Sequence, residues 1–170
     1  MLESVQGDIL KSDCAVIINT VNCVGVMGKG LALQFKRQFP AMFAAYQRDC
    51  NLGLIQPGRL SSFPIGTGKH IINFPTKKHW RHPSRIEWIK DGLSILPSTV
   101  LSLGCHSVAI PPLGCGNGGL NWDDVVPLIF RAFEQYPNIK VHLYEPKEVF
   151  DLMEREYESW LDKRFCEFGY

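Results

Sequence analysis

The stretch from Ile110 to Trp122 reads IPPLGCGNGGLNW, and the fold turns on how it is read. It follows the apolar run SVAI and precedes a segment with helical apolar spacing. Four glycines, Gly114, Gly116, Gly118 and Gly119, fall within six residues. Glycine lets successive backbone N–H groups converge on an anion, and a helix start adds a positive dipole end. The stretch therefore reads as a phosphate or diphosphate cradle; its plain alternative is a flexible loop. Gly114, Gly116 and Gly119 also satisfy G-x-G-x-x-G, which alone is a weak signal. A dinucleotide-binding fingerprint belongs on the first strand–helix turn, with an acid about 20 residues further on. Here the match lies in the last third of the chain and lacks that acid.

Working outward, a second unit of the same kind appears at Asn19–Lys36, NTVNCVGVMGKGLALQFK. The buried-strand pattern AVIIN ends at Asn19, a loop carries Asn22, Gly25, Gly28, Lys29 and Gly30, and GLALQFKRQF then reads as a helix. It is not a Walker A loop, because GxxxxGK[ST] is absent. Two strand–glycine loop–helix units suit a ligand with two phosphates flanked by sugars. Asn22 offers a donor and an acceptor for ribose hydroxyls, though a lone Asn at a strand end is by default a turn residue. Asp8 in QGDIL could accept from an adenine amino group, or simply make a turn. The remaining pattern alternates. AMFAAYQRDC reads as a helix. GRLSSFPI is a strand whose proline prefers an edge, and KHIINFP is another strand. PSRIEWIKDGLSIL is a helix with Ser84 as a possible N-cap, interrupted at Pro97. NWDDVVPLIFRAFEQY is a helix capped by Asn121, which Pro127 should kink or shorten. IKVHLYEP is a strand, and KEVFDLMEREYESWLDKRF is an amphipathic C-terminal helix over about 147–165. The alternation predicts an α/β fold with a largely parallel sheet.

Bulk properties exclude several classes. A length of 170 residues suits one domain. No apolar run long enough to span a membrane exists, and MLESVQGDIL lacks the pattern of a signal peptide. Six cysteines without a CxxC pair suit reduced thiols and a cytoplasmic location, with no zinc motif. His79 and His82 lack an evident third ligand, so no metal is expected. Net charge is +1, yet its distribution is uneven. From Cys50 to Ile86 there is no Asp or Glu, while eleven of the seventeen acids follow Asn121. Within the acid-free region, INFPTKKHWRHPSR (72–85) gathers Lys77, Lys78, Arg81 and Arg85 around Trp80. That asymmetry suggests a polyanionic partner, although charged faces are also common without one.

Together these stretches resemble a macrodomain, the ADP-ribose-binding three-layer α/β/α fold with a mixed, largely parallel sheet. GDIL, NTVNCVGVMGKGLALQFK, INFPTKKHWR and IPPLGCGNGGLNW occur in the family's order, and the resemblance runs to about Pro146. The chain would be a single macrodomain over 1–170. More narrowly, NTVNCVGVMGKG with NFPTKKHWR resembles the DarG antitoxin type. That type removes ADP-ribose from thymidine bases in DNA, the modification made by its partner toxin DarT. Terminal ADP-ribose protein glycohydrolase is similar at greater distance. The resemblance implies that Asp8 and Ile9 meet the adenine, that Asn19, Thr20, Val21 and Asn22 line the distal ribose side, and that Gly28, Lys29, Gly30 and Leu31 approach the ribose and diphosphate. It further implies that Gly114, Cys115, Gly116, Asn117 and Gly118 wrap the diphosphate, with Thr76 and Lys77 at the reacting end. Lys77 occupies the family's catalytic lysine position, with Asn22 beside it. Where the protein glycohydrolase has an aspartate in the second glycine loop, this chain has Gly118, as the DarG type does, which points away from glutamyl-linked ADP-ribose.

The resemblance also makes sense of the missing carboxylates. An ordinary glycosidase flanks the scissile bond with two carboxyl groups, and neither glycine loop nor TKKHWR offers such a pair. A thymine imide nitrogen spreads its charge over two carbonyls, so a cation or proton donor beside it can suffice. Lys77 would fill that role with its pKa lowered by a neighbouring cation, Lys78 being the expected one. Lys78, His79, Trp80, Arg81, His82 and Arg85 would meet the nucleic acid, with Trp80 either stacking on a base or packing the loop down. The implied partners are ADP-ribosylated single-stranded DNA, ADP-ribose and a DarT-type toxin, acting on a monomer that needs no cofactor. The alternatives are a non-catalytic ADP-ribose reader and a glycohydrolase for protein or RNA conjugates.

Overall fold

A computed structural model describes residues 1–146, and its central strands grow directly from the apolar runs. Six strands form one sheet: β1 (Leu2–Val5), β2 (Val16–Val21), β3 (Ser61–Gly66), β4 (Lys69–Pro75), β5 (Ser107–Ile110) and β6 (Lys140–Tyr144). Their spatial order is β1-β6-β5-β2-β4-β3. Every pairing is parallel except β3 with β4. A parallel strand covered on both faces must be apolar on both, and Val16, Ile17 and Ile18 are each fully buried. Pro64 sits in β3, an edge strand, where its missing N–H leaves no ladder bond unmade on the open side.

Alternate residues of the strands feed two cores. Val16, Ile18, Ile72 and Phe74 pack with α3 (Ile86–Ser102) and α4 (Trp122–Phe133). Ile17, Val21 and Ile71 face the other way, toward α1 (Gly30–Gln38) and α2 (Pro40–Asn51). The result is the expected α/β/α sandwich with a mixed, mostly parallel sheet.

Two local expectations need correction, and one cap is found as expected. Helix α3 runs through Pro97 to Ser102 without interruption. A proline inside a helix costs about 3 kcal/mol, but Leu96, Pro97 and Val100 are all buried beneath it, so packing outweighs the local penalty. Ser84 does not cap this helix: the N-cap position is Arg85, and the buried Ser84 hydroxyl has no hydrogen-bond partner among the described residues. Helix α4 keeps its start at Trp122, with the Asn121 side chain accepting from the Asp123 N–H. Pro127 is exposed, so the carbonyl it cannot serve is open to water. The expected helix over 147–165 lies outside the described residues.

Candidate functional site

The cleft opens where β2, β4 and β5 end, a cavity of about 910 Å³. That is within the size range of sites for molecules as large as a nucleotide. Two glycine loops form its walls. The first connects β2 to α1 and the second connects β5 to α4.

The second loop turns sharply at Gly114, whose φ of +71° suits glycine and whose Cβ would press on Leu120. Cys115 N–H bonds back to Pro112 O and Gly119 N–H to Gly116 O, folding the loop on itself. The N–H groups of Gly116, Asn117 and Gly118 meet no acceptor among the described residues. A side chain at Gly118 would collide with the Gly114 carbonyl oxygen and the Ser84 hydroxyl. Ser84 N–H also donates to Gly118 O at 2.9 Å, so this position is closed from both sides.

The first loop ends at the N-terminus of α1, where no side chain caps the helix and no acid occupies the first turn. Instead Lys29 stands at the N-cap position, the unfavourable sign for a helix dipole. Gly30, Leu31 and Ala32 bring the uncapped helix end into the cleft wall. A cation placed against a positive helix end, opposite a loop of unpaired N–H groups, is an arrangement an anion would relieve. Among the described residues no Asp or Glu lines the cleft, whereas Lys29, Lys77 and Arg81 do.

Asn22 shapes the first loop. Its amide donates to Val26 O at 2.7 Å, and its oxygen accepts from the N–H groups of Val24 and Val26. Tyr46, which was not singled out from sequence, reaches from α2 to donate to both the carbonyl and the side-chain oxygen of Asn22. Asn22 thus lines the cleft with an amide already engaged in the loop, so its contribution there is shape more than an open donor.

Lys77 follows the end of β4. Its backbone is held by the first loop: Cys23 Sγ donates to Lys77 O and Cys23 N–H to Lys78 O at 3.2 Å. From there Lys77 Nζ spans the cleft mouth and donates to Asn117 O in the second loop at 2.8 Å. Its pKa is lowered, first by desolvation and then by the charge of Lys29. The neighbouring cation is therefore Lys29 and not Lys78, whose ammonium lies 5.7 Å from the Trp88 ring centroid. Adjacent residues in an extended loop point apart, whereas the loop before α1 faces Lys77 across the cleft.

Beside Lys77 the chain makes an aromatic and cationic rim. Trp80 is 46% exposed, stacks on His79 with ring centroids 5.4 Å apart, and carries the Arg81 guanidinium 4.5 Å from its centroid. It is not a core aromatic. Arg85 lies over Trp88 at 5.4 Å. Trp80 and Arg81 enter the cleft lining; Lys78, His79, His82 and Arg85 lie outside it.

Thr20, Val21, Gly28, Thr76 and Cys115 also reach the cleft. Asp8, Ile9 and Asn19 do not line it. Asp8 caps a 3-10 turn by accepting from Leu10 N–H, Ile9 is buried, and Asn19 is buried beneath the sheet's end, donating to Asn73 Oδ1 at 3.1 Å. Val26, Pro111 and Pro112 line the cleft although sequence reading passed over them; the PP that ends β5 was the available signal.

A family model described as Macro domain matches residues 18–129. The chain belongs to the macrodomain family. As a macrodomain it is 51% identical over 146 residues to a protein of Mycobacterium tuberculosis named DNA ADP-ribosyl glycohydrolase, covering 83% of this chain and 41% of that protein. The chain thus spans about two-fifths of the length of the proteins named DNA ADP-ribosyl glycohydrolase that it matches. Among solved macrodomains, that of Mycobacterium tuberculosis DarG superposes with a TM-score of 0.84 at 49% identity, covering 86% of this chain and 98% of that one. Thermosipho africanus DarTG, solved in complex with ADP-ribose, superposes with a TM-score of 0.81 at 35% identity, over 86% of this chain and 42% of that one. This macrodomain is closely related to the DarG type.

Proposed function

We propose that the chain is a DNA ADP-ribosyl glycohydrolase that hydrolyses the N-glycosidic bond between ADP-ribose and a thymine base in single-stranded DNA. By doing so it reverses the action of a DarT-type toxin in the cytoplasm, as a monomer whose whole length is one macrodomain. The names of the relatives support the substrate class. The observation that carries the chemistry is Lys77 Nζ poised across a cleft with no carboxylate in its lining among the described residues.

In this reading the diphosphate lies between the N-terminus of α1 and the N–H groups of Gly116, Asn117 and Gly118, with Lys29 as counter-charge. Lys77 stands at the open end, next to Trp80 and Arg81, where the base would enter. A base must leave any stack to reach it, and Trp80 could take it up by exchanging His79 or the Arg81 guanidinium for the base. The Lys77 ammonium then stabilises or protonates the departing imide while water adds to the anomeric carbon. Asn22 and Tyr46 keep the first loop in place. Asp8, Ile9 and Asn19 would act at the adenine and distal-ribose side only through the backbone and loops they shape. Closure of the Gly118 position leaves no room for a second acid.

The test compares wild type and Lys77→Ala on a single-stranded oligonucleotide carrying ADP-ribose on one thymine. We expect release by the wild type, a loss of at least about 100-fold in the variant, as for removal of a general acid, and retained ADP-ribose affinity in both. Binding by the wild type without release would make the chain a reader, and release from protein or RNA conjugates alone would move the substrate class.

A further inference from the structure

A second cluster of reactive side chains lies away from the cleft, where β2 begins. Asp13 and Cys14 precede that strand, and His142 lies within β6. One ligand atom from each comes within 4.8 Å of the others. We propose that Asp13, Cys14 and His142 bind a divalent metal ion of the zinc class, with Glu3 as the outer carboxylate.

The donor set argues for that class of ion. A thiolate, an imidazole and a carboxylate suit zinc or cobalt and do not suit calcium or magnesium, which prefer oxygen alone. Zinc holds sulfur at about 2.3 Å and nitrogen or oxygen at about 2.0–2.2 Å, which places tetrahedral ligands about 3.3–3.6 Å apart. The observed spread of up to 4.8 Å is wider than that range, and Asp13, with its side chain 88% exposed, is the ligand able to rotate inward.

The imidazole is the stronger clue. His142 is 9% exposed, and its Nε2 is buried with no hydrogen-bond partner among the described residues. Nδ1 faces Asp13 Oδ1 at 3.8 Å, and Nε2 faces Glu3 Oε2 at 3.8 Å. Neither separation is a hydrogen bond. A metal on Nδ1, shared with Asp13 and Cys14, would leave Nε2–H directed at Glu3, the carboxylate–histidine–metal relay common at zinc sites. Cys14 is 1% exposed, so its sulfur lies out of solvent beside the imidazole and the Asp13 carboxylate. Coordination would release the thiol proton to solvent. Three ligands leave a fourth position for water. The ion would tie together β1, the entry to β2, and β6, segments far apart in sequence.

The test strips the 170-residue protein with a chelator and titrates it with cobalt(II), then with zinc(II). One equivalent of cobalt should produce a thiolate-to-metal charge-transfer absorption that zinc abolishes. Cys14→Ser should lose that absorption. Glu3→Gln, changing a half-exposed side chain, should keep it with affinity about tenfold weaker. The His79→Ala, His82→Ala double variant should leave it unchanged. Absence of the absorption in folded wild type, or its survival in Cys14→Ser, overturns the proposal.

Discussion

Lys77 works against two forces at once. Partial burial and the Lys29 charge both disfavour its ammonium form, and both lower its pKa from the ordinary lysine value of 10.5. If the protonated form serves the departing base, the rate is highest while Lys77 is charged and falls as pH rises through the lowered pKa. Replacing Lys29 by Gln removes one of the two causes, so the alkaline limb of the pH–rate profile should move to higher pH. Rates at saturating substrate across the alkaline range would check this; an unmoved limb would assign it to another group. The place of Lys77 in the cleft was legible in TKKHW, which follows the end of β4. Its partner was not, because Lys29 and Lys77 are brought together only by the parallel pairing of β2 with β4. The same holds for Asp13, Cys14 and His142, whose spacing along the chain carries no metal signature.

Helix α3 is positioned by a close approach to the sheet. A Cβ on Gly92 would run into the Phe74 ring, whose Cε1 and Cε2 atoms would lie at 2.6 and 2.7 Å. Alanine normally gains about 1 kcal/mol over glycine in a helix, but overpacking a rigid ring costs about 1–3 kcal/mol. Gly92→Ala is therefore expected to be destabilising, seen as a lowered denaturation midpoint with an unchanged slope in urea. A stabilised variant would mean that α3 can lift off the sheet. The strands β2, β4, β5 and β6 were legible because burial on both faces leaves long apolar runs. Strand β1 was not, since Leu2–Val5 is half polar and carries a burial pattern of an edge. Pro97 misled for a related reason: a local rule was applied where tertiary burial decided the outcome.

At the scale of the whole molecule, charge is segregated more than it is large. Lys78, Arg81 and Arg85 make no ion pair among the described residues and lie against Trp80 and Trp88. Each is available to a phosphate. On single strands the logarithm of affinity falls with the logarithm of salt by about 0.7 per phosphate neutralised. Replacing any one of the three by Ala should reduce that slope by about 0.7, measured with an unmodified oligonucleotide; a slope unchanged in all three would remove this rim from the nucleic-acid path. The sheet order has another consequence. Among the described residues strand β1 is hydrogen-bonded to β6 alone, and the Met1 ammonium donates to Ile139 O across 138 positions. A chain emerging from the ribosome would therefore carry its first strand without a mate until almost all of the described fold had been made. Pairing of β1 with β6 can close that margin of the sheet only after β6 has been made, so a change that delays this step should slow folding while leaving the finished cleft as it was.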